Sequence, residues 1–263
     1  MQTLGIDASH WQPQVDWERL RQAGVNFVIL KAGQGSAGRD PLLRAHYNGA
    51  RAAGMTLGVY HWNDPLCADQ AQMQNFLRAI EGLQFDFTAV DVEQNWASWS
   101  EWGKQTITRL IDPQRIADSA LTMAEAMRAD LRLPTLIYTR ASFVHTYARP
   151  MLRWLADWPL WLAHYPYPGG SLRVDWETFT GQHLPRSGGP ALPEHCPQWT
   201  FWQFSGDRFI LPGCSTALDL NLFNGSPAEL AAWCGQRRDI LPVYTAQQKL
   251  ERLWAAHPEL AQL

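Results

Sequence analysis

Phe87-Thr88-Ala89-Val90-Asp91-Val92-Glu93 is an apolar, β-branched run that ends in two acids. Its composition is that of a buried strand, and in a strand residues i and i+2 project to one face, so Asp91 and Glu93 point together. Three earlier runs have the same form: Leu4-Gly5-Ile6 ends in Asp7, residues 25–30 deliver Lys31, and residues 55–60 deliver His61. The tips Asp7, Lys31, His61 and Asp91 are 24, 30 and 30 residues apart, which is the spacing of successive βαβ units. Helix signals fill the gaps. Asp16 is placed to cap a helix that Gly24 stops, Asp40-Pro41 reads as an N-cap and first-turn proline for a helix that Gly54 ends, and residues 68–80 read as a third helix. Strands alternating with helices in this way predict an α/β barrel.

Further along, residues 113–129 read as helix and 135–138 as strand, with three more short strands at 159–164, 200–204 and 216–220. The link over 166–198 is rich in Pro and Gly, and only 17 residues separate Trp202 from Asp219. The last strands are therefore expected to lack crossover helices, making the barrel irregular on that side. After Pro227 the character changes to an Ala-rich helix, a loop, and a final helix opened by Thr245 with Gln248 three residues on. The expected division is a catalytic barrel over 1–226 and a helical C-terminal appendage over 227–263, in which Leu250, Leu253 and Trp254 form an apolar stripe.

Among the 263 residues, 46% are apolar and 18% charged, the balance of a globular chain with a sizeable core. A net charge of -3 supplies no basic field for nucleic acid, and no apolar run is long enough to span a bilayer. Neither nucleic acid nor membrane insertion is expected, and the chain is read as a monomer. Cys67, Cys196, Cys214 and Cys234 show no metal-pair spacing and read as free thiols, with a Cys196 to Cys214 or Cys214 to Cys234 bridge as the alternative. The eight His show no ligand spacing, so neither metal nor cofactor is expected.

Asp7 ends the first strand and Asp219 lies in the last, and closing a barrel makes those strands neighbours. Four carboxylates then share one mouth, at the C-terminal strand ends where α/β barrels gather their chemistry. Acids held close push one pKa up and keep a protonated acid near neutral pH. Paired acids without a metal point to glycoside hydrolysis. The 14 Trp fit this, since indole faces suit the C–H faces of sugars, although core packing accounts for many of them. Trp96, Trp99 and Trp102 read equally as a stacking rim and as a buried helical stripe. Gly33-Gln34-Gly35-Ser36-Ala37-Gly38 is a literal GxGxxG, but its helix begins only at Asp40-Pro41, too late to meet a pyrophosphate, which argues against a dinucleotide-dependent oxidoreductase.

Gly5-Ile6-Asp7-Ala8-Ser9-His10-Trp11-Gln12, Lys31-Ala32-Gly33-Gln34-Gly35, Gly58-Val59-Tyr60-His61, Val90-Asp91-Val92-Glu93, Trp202-Gln203-Phe204-Ser205 and Leu218-Asp219-Leu220-Asn221 follow one another at strand tips. In that order they resemble the lysozymes of glycoside hydrolase family 25, the 1,4-β-N-acetylmuramidases, over about residues 4–226. The resemblance implies a modified TIM-like barrel, (β/α)5(β)3, with an acidic groove for bacterial peptidoglycan glycan strands. It implies Glu93 as general acid, with Asp91, Asp7 and Asp219 completing the acid set. Tyr60, His61, Tyr138, Trp161 and Trp202 occupy strand ends and, with Lys31 and Gln203, are assigned to line the groove. Attack by the substrate's own 2-acetamido oxygen, oriented by Asp91, is favoured over a water activated by an aspartate. The alternative reading is a barrel that binds wall glycan without cutting it. Met1 to Asp7 carries no secretory signal, so the expectation is synthesis in the cytoplasm followed by phage-type release or non-classical export to the wall.

Overall fold

A computed structural model describes residues 2–96, 106–186 and 188–235. The final helix expected around Thr245, the stripe Leu250, Leu253 and Trp254, and also Trp99 and Trp102, lie outside the described residues. The elements run β1 Thr3–Ala8, α1 Trp17–Gln22, β2 Phe27–Gln34, β3 Gly38–Arg39, α2 Leu43–Ala52, β4 Thr56–Trp62, α3 Asp69–Ala79 and β5 Phe87–Asp91. They continue with α4 Pro113–Leu131, β6 Thr135–Thr139, α5 Ala141–Tyr147, β7 Leu160–Ala163, β8 Leu172–Arg173, α6 Trp176–Thr178, β9 Phe201–Ile210, β10 Leu218–Phe223 and α7 Pro227–Gly235.

Eight of the strands close into a barrel in the order β1-β10-β9-β7-β6-β5-β4-β2, and β2 pairs back onto β1. All neighbours are parallel except β10, which runs antiparallel to both β1 and β9. Helices α1 to α5 each follow one of the first five barrel strands, and the last three strands follow without a long crossover helix, so the architecture is (β/α)5(β)3. Closure sets Asp7 of β1 opposite Asp219 of β10 in the register.

Because helices cover the outside and side chains fill the lumen, the barrel strands are buried on both faces and read as continuous apolar runs. The outer layer joins residues such as Val28, Leu30, Val59, Val90 and Ile137 to Phe76, Ile116, Ala120 and Met123 of the helices. The lumen holds Phe27, Ile29, Tyr60, Phe87, Leu136, Tyr138, Trp161, Phe201 and Phe223. At its floor Trp233 of α7 packs against Phe87, Phe201 and Phe223. The barrel is thus a plugged cylinder with one chemical end.

Space in the lumen is shared between large rings and absent side chains. A Cβ at Gly58 would stand 2.3 Å from the ring of Phe87, and one at Gly5 would stand 2.4 Å from that of Phe27. Both rings are fully buried and cannot swing clear. Gly58→Ala is therefore expected to cost about 1–3 kcal/mol of stability through overpacking, read as a fall of a few degrees in the thermal midpoint.

Local signals place the helices. Asp16 accepts from the Arg19 backbone N–H at 3.0 Å, and Gly24, at φ +98°, turns the chain out of α1. Asp112 accepts from the Gln114 N–H ahead of Pro113 in α4. Asp40 departs from expectation. The helix starts later, at Leu43, because the Asp40 carboxylate is shared between the Leu42 N–H and both the backbone N–H and Nδ1 of His10. The GxGxxG stretch is the β2 to β3 hairpin, in which Gln34 pairs with Gly38, and it opens no helix. All four cysteines are free thiols. Among the described residues no helix is long and apolar enough to cross a membrane.

Candidate active site

At the C-terminal end of the strands a cleft of about 520 Å³ is lined by Asp7, Asp91, Glu93 and Asp219, with Lys31, Tyr60, Tyr138, Trp161 and Gln203. Register slips on two strands shape it. One lies between Lys31 and Gly33 on β2, and the other brackets Asp219 on β10, so each strand bulges where it supplies a charged side chain. Bulges of this kind re-aim side chains beside a site.

Amides and rings hold Asp7. Its Oδ2 accepts from Gln203 Nε2 at 2.8 Å and from Asn221 Nδ2 at 2.7 Å. Asn221 in turn accepts from Trp161 Nε1, while Gln203 Oε1 accepts from the Tyr138 and Tyr165 hydroxyls. Trp161 is fixed beneath them by Tyr138 and Tyr60, with ring centroids at 4.4 and 5.9 Å. This chain of contacts ties five strands and the segment after β7 to one carboxylate.

Burial dominates the electrostatics. It pushes Asp7 up to about 7, partly opposed by the two amide hydrogen bonds and reinforced by the charge of Glu93. Burial also pushes Glu93 up to about 6, against the pull of Arg140 and Lys31. Asp91 is raised well above the usual carboxylate range by burial and by Glu93, with Lys31 pulling the other way. Asp219 is raised by burial and then by Asp7, Asp207 and Glu93. Four acids facing one buried lysine cannot all ionise together near neutral pH, so the site retains protons for donation. Lys31 itself is lowered by burial, while the surrounding carboxylates act to keep it charged. Its Nζ lies 4.6 Å from the centre of the Trp62 ring.

Two residues expected to line the groove face elsewhere. Strand alternation allows only one of each adjacent pair into the lumen. Tyr60 points in, so His61 points out, packs edge-on against Phe76 of α3, and is pushed down to about 3 by burial. Gln203 points in, so Trp202 points out, donates from Nε1 to the His164 carbonyl and packs on Trp199 and Phe204. Conversely Trp11, Trp62, Trp96, Tyr165 and Asp207 line the cleft. Of these only Trp96 had a sugar-stacking reading. Trp62 was legible by the same alternation, two residues past Tyr60. Glu93 stands just beyond the end of β5, and Asn95 after it is anchored by Thr108 Oγ1 and Thr106 Oγ1.

An eight-stranded α/β barrel with paired carboxylates in an aromatic-walled cleft is a glycoside hydrolase architecture. The model of glycosyl hydrolases family 25 matches residues 6–213. Lysozyme M1 of Streptomyces globisporus is 29% identical over 235 residues, spanning 87% of this chain and 72% of that protein. The uncharacterized protein YegX of Escherichia coli K12 is 31% identical over the same shares of the two chains. The crystal structure of a bacterial lysozyme from Streptomyces coelicolor superposes with a TM-score of 0.71 at 25% identity, covering 90% of this chain and 98% of that one. The chain belongs to glycosyl hydrolase family 25, the family of these lysozymes, and is a glycoside hydrolase.

Proposed function

We propose that this enzyme is a muramidase that hydrolyses the β-1,4 bond between N-acetylmuramic acid and N-acetylglucosamine in bacterial peptidoglycan. The observation that carries the reading is the convergence of Glu93, Asp91, Asp7 and Asp219 in one aromatic-walled cleft. Glu93, raised to about 6, gives its proton to the leaving oxygen as the bond from C1 breaks. The acetamido carbonyl oxygen of the same sugar attacks C1, and positive charge spreads onto the acetamido nitrogen. Asp91 accepts the N–H of that group, and the developing charge favours its ionised form in the same sense as Lys31 does. Water then adds to C1, returning its proton to Glu93 and restoring the acetamide. Asp7 and Asp219 keep the field in the cleft negative where the sugar ring becomes cationic.

The test is mass spectrometry of muropeptides from digested walls, together with the anomeric configuration of the first product by NMR. New reducing ends on N-acetylmuramic acid with retained configuration are expected. Ends on N-acetylglucosamine, or cleaved peptide stems, would overturn the proposed bond. Inversion would replace the acetamido step by a water activated by one of the aspartates.

A further inference from the structure

Two buried atoms in the cleft have no hydrogen-bond partner among the described residues: Trp62 Nε1, which can only donate, and Asp91 Oδ1, which accepts. They belong to register partners on adjacent parallel strands, Trp62 on β4 and Asp91 on β5, and both side chains line the cleft. Neither can turn away to find another partner. Trp62 is 6% exposed, with Lys31 Nζ over its ring and Trp96 edge-on to it at 5.7 Å. Asp91 is 3% exposed, and its backbone carbonyl is held by the Asn63 N–H. Buried polar groups are almost always paired, and an unpaired donor beside an unpaired acceptor calls for one ligand group that supplies the complement of both.

A secondary amide is such a group, with an acceptor on its carbonyl and a donor on its nitrogen. We infer that Trp62 is a positioning and specificity residue that donates from Nε1 to the acetamido carbonyl of the sugar whose N–H is accepted by Asp91. The inference rests on the muramidase reading and deepens it. Asp91 alone holds the nitrogen and leaves the acetamide free to rotate. With Trp62 both edges are held, and the carbonyl oxygen is kept where it must be to attack C1. A hexose carrying a hydroxyl in place of the acetamide leaves the indole N–H unpaired, and for that reason is selected against.

Trp62→Phe removes the donor and keeps an aromatic ring for Lys31 and Trp96. It is expected to lower kcat/KM on purified walls about 3- to 10-fold, the value of one lost hydrogen bond. Combined with Asp91→Asn it should lose less than the product of the single effects, because both act on one amide. The affinity for chitotriose, measured by calorimetric titration, should weaken by a similar factor. The thermal midpoint should hold or rise, since an unpaired donor is removed, whereas a purely structural tryptophan would lower it. A kcat/KM within about 1.5-fold of wild type overturns the inference. So does an equal weakening for cellotriose, which shares the hydroxyls and lacks the acetamides. Wild-type enzyme that yields no ends on N-acetylmuramic acid would sink the muramidase reading itself, whereas normal wild-type products with an unaffected Trp62→Phe sink only the role of Trp62.

Discussion

Glu93→Gln is expected to lower the rate of wall-glycan cleavage by about 10²- to 10⁴-fold, the usual worth of a positioned general acid, while binding and fold persist. The substitution keeps the shape of the side chain. It also keeps the one described local contact of the residue, the Asn95 Nδ2 hydrogen bond, because that bond is accepted by the Glu93 backbone carbonyl. What is lost is the proton. Since the Glu93 carboxyl is held up to about 6, chiefly by burial, the wild-type rate should decline above that pH as the acid ionises. The residual rate of the variant should show no such limb. Turbidity clearing and reducing-end assays between pH 5 and 8 read both effects. A variant that clears walls as well as the wild type would move the acid to another carboxylate.

The barrel was legible because its signals are local and repeated: strand tips at near-constant spacing, the cap at Asp16, and stops at Gly24 and Gly54. Asp7 and Asp219 could be brought together by closure alone, and the register sets them opposite each other. Parity was harder. His61 and Trp202 look as suitable for a sugar groove as Tyr60 and Gln203, yet alternation admits only one of each pair, and which one depends on neighbours distant in sequence. The strand β4 also runs on to Trp62, past His61, where the sequence pattern ends it. Asp207 lies beyond the strand expected over 200–204, whereas β9 continues as an extended strand to Ile210 and places the aspartate at the cleft. Tyr165 lies in a loop beyond β7, yet it lines the cleft and donates its hydroxyl to Gln203. Asp40 has an ordinary N-cap sequence, and only the fold brings His10 to compete for its carboxylate.

The burial that tunes the site also makes it a stability cost, and Asp7→Asn is expected to expose that cost. In the folded protein Asp7 is held at about 7, against an ordinary value of 3.8, so folding favours its protonated form. Between those two values the folded state binds more protons than the unfolded chain, and stability must fall as pH rises. The loss begins near pH 4, grows to about pH 7 and is constant above. At one pKa unit per 1.36 kcal/mol the full loss is of the order of 4 kcal/mol. Asp7→Asn retains an oxygen to accept from Gln203 and Asn221 but cannot ionise. It should therefore match the wild type in thermal midpoint near pH 4 and exceed it by on the order of 10 °C at pH 7.5, with wall cleavage reduced. Melting curves at pH 4, 5.5 and 7.5 decide the matter. A gain that is the same at every pH would mean improved packing, and a loss at pH 7.5 would mean that the amide contacts to the carboxylate outweigh its desolvation.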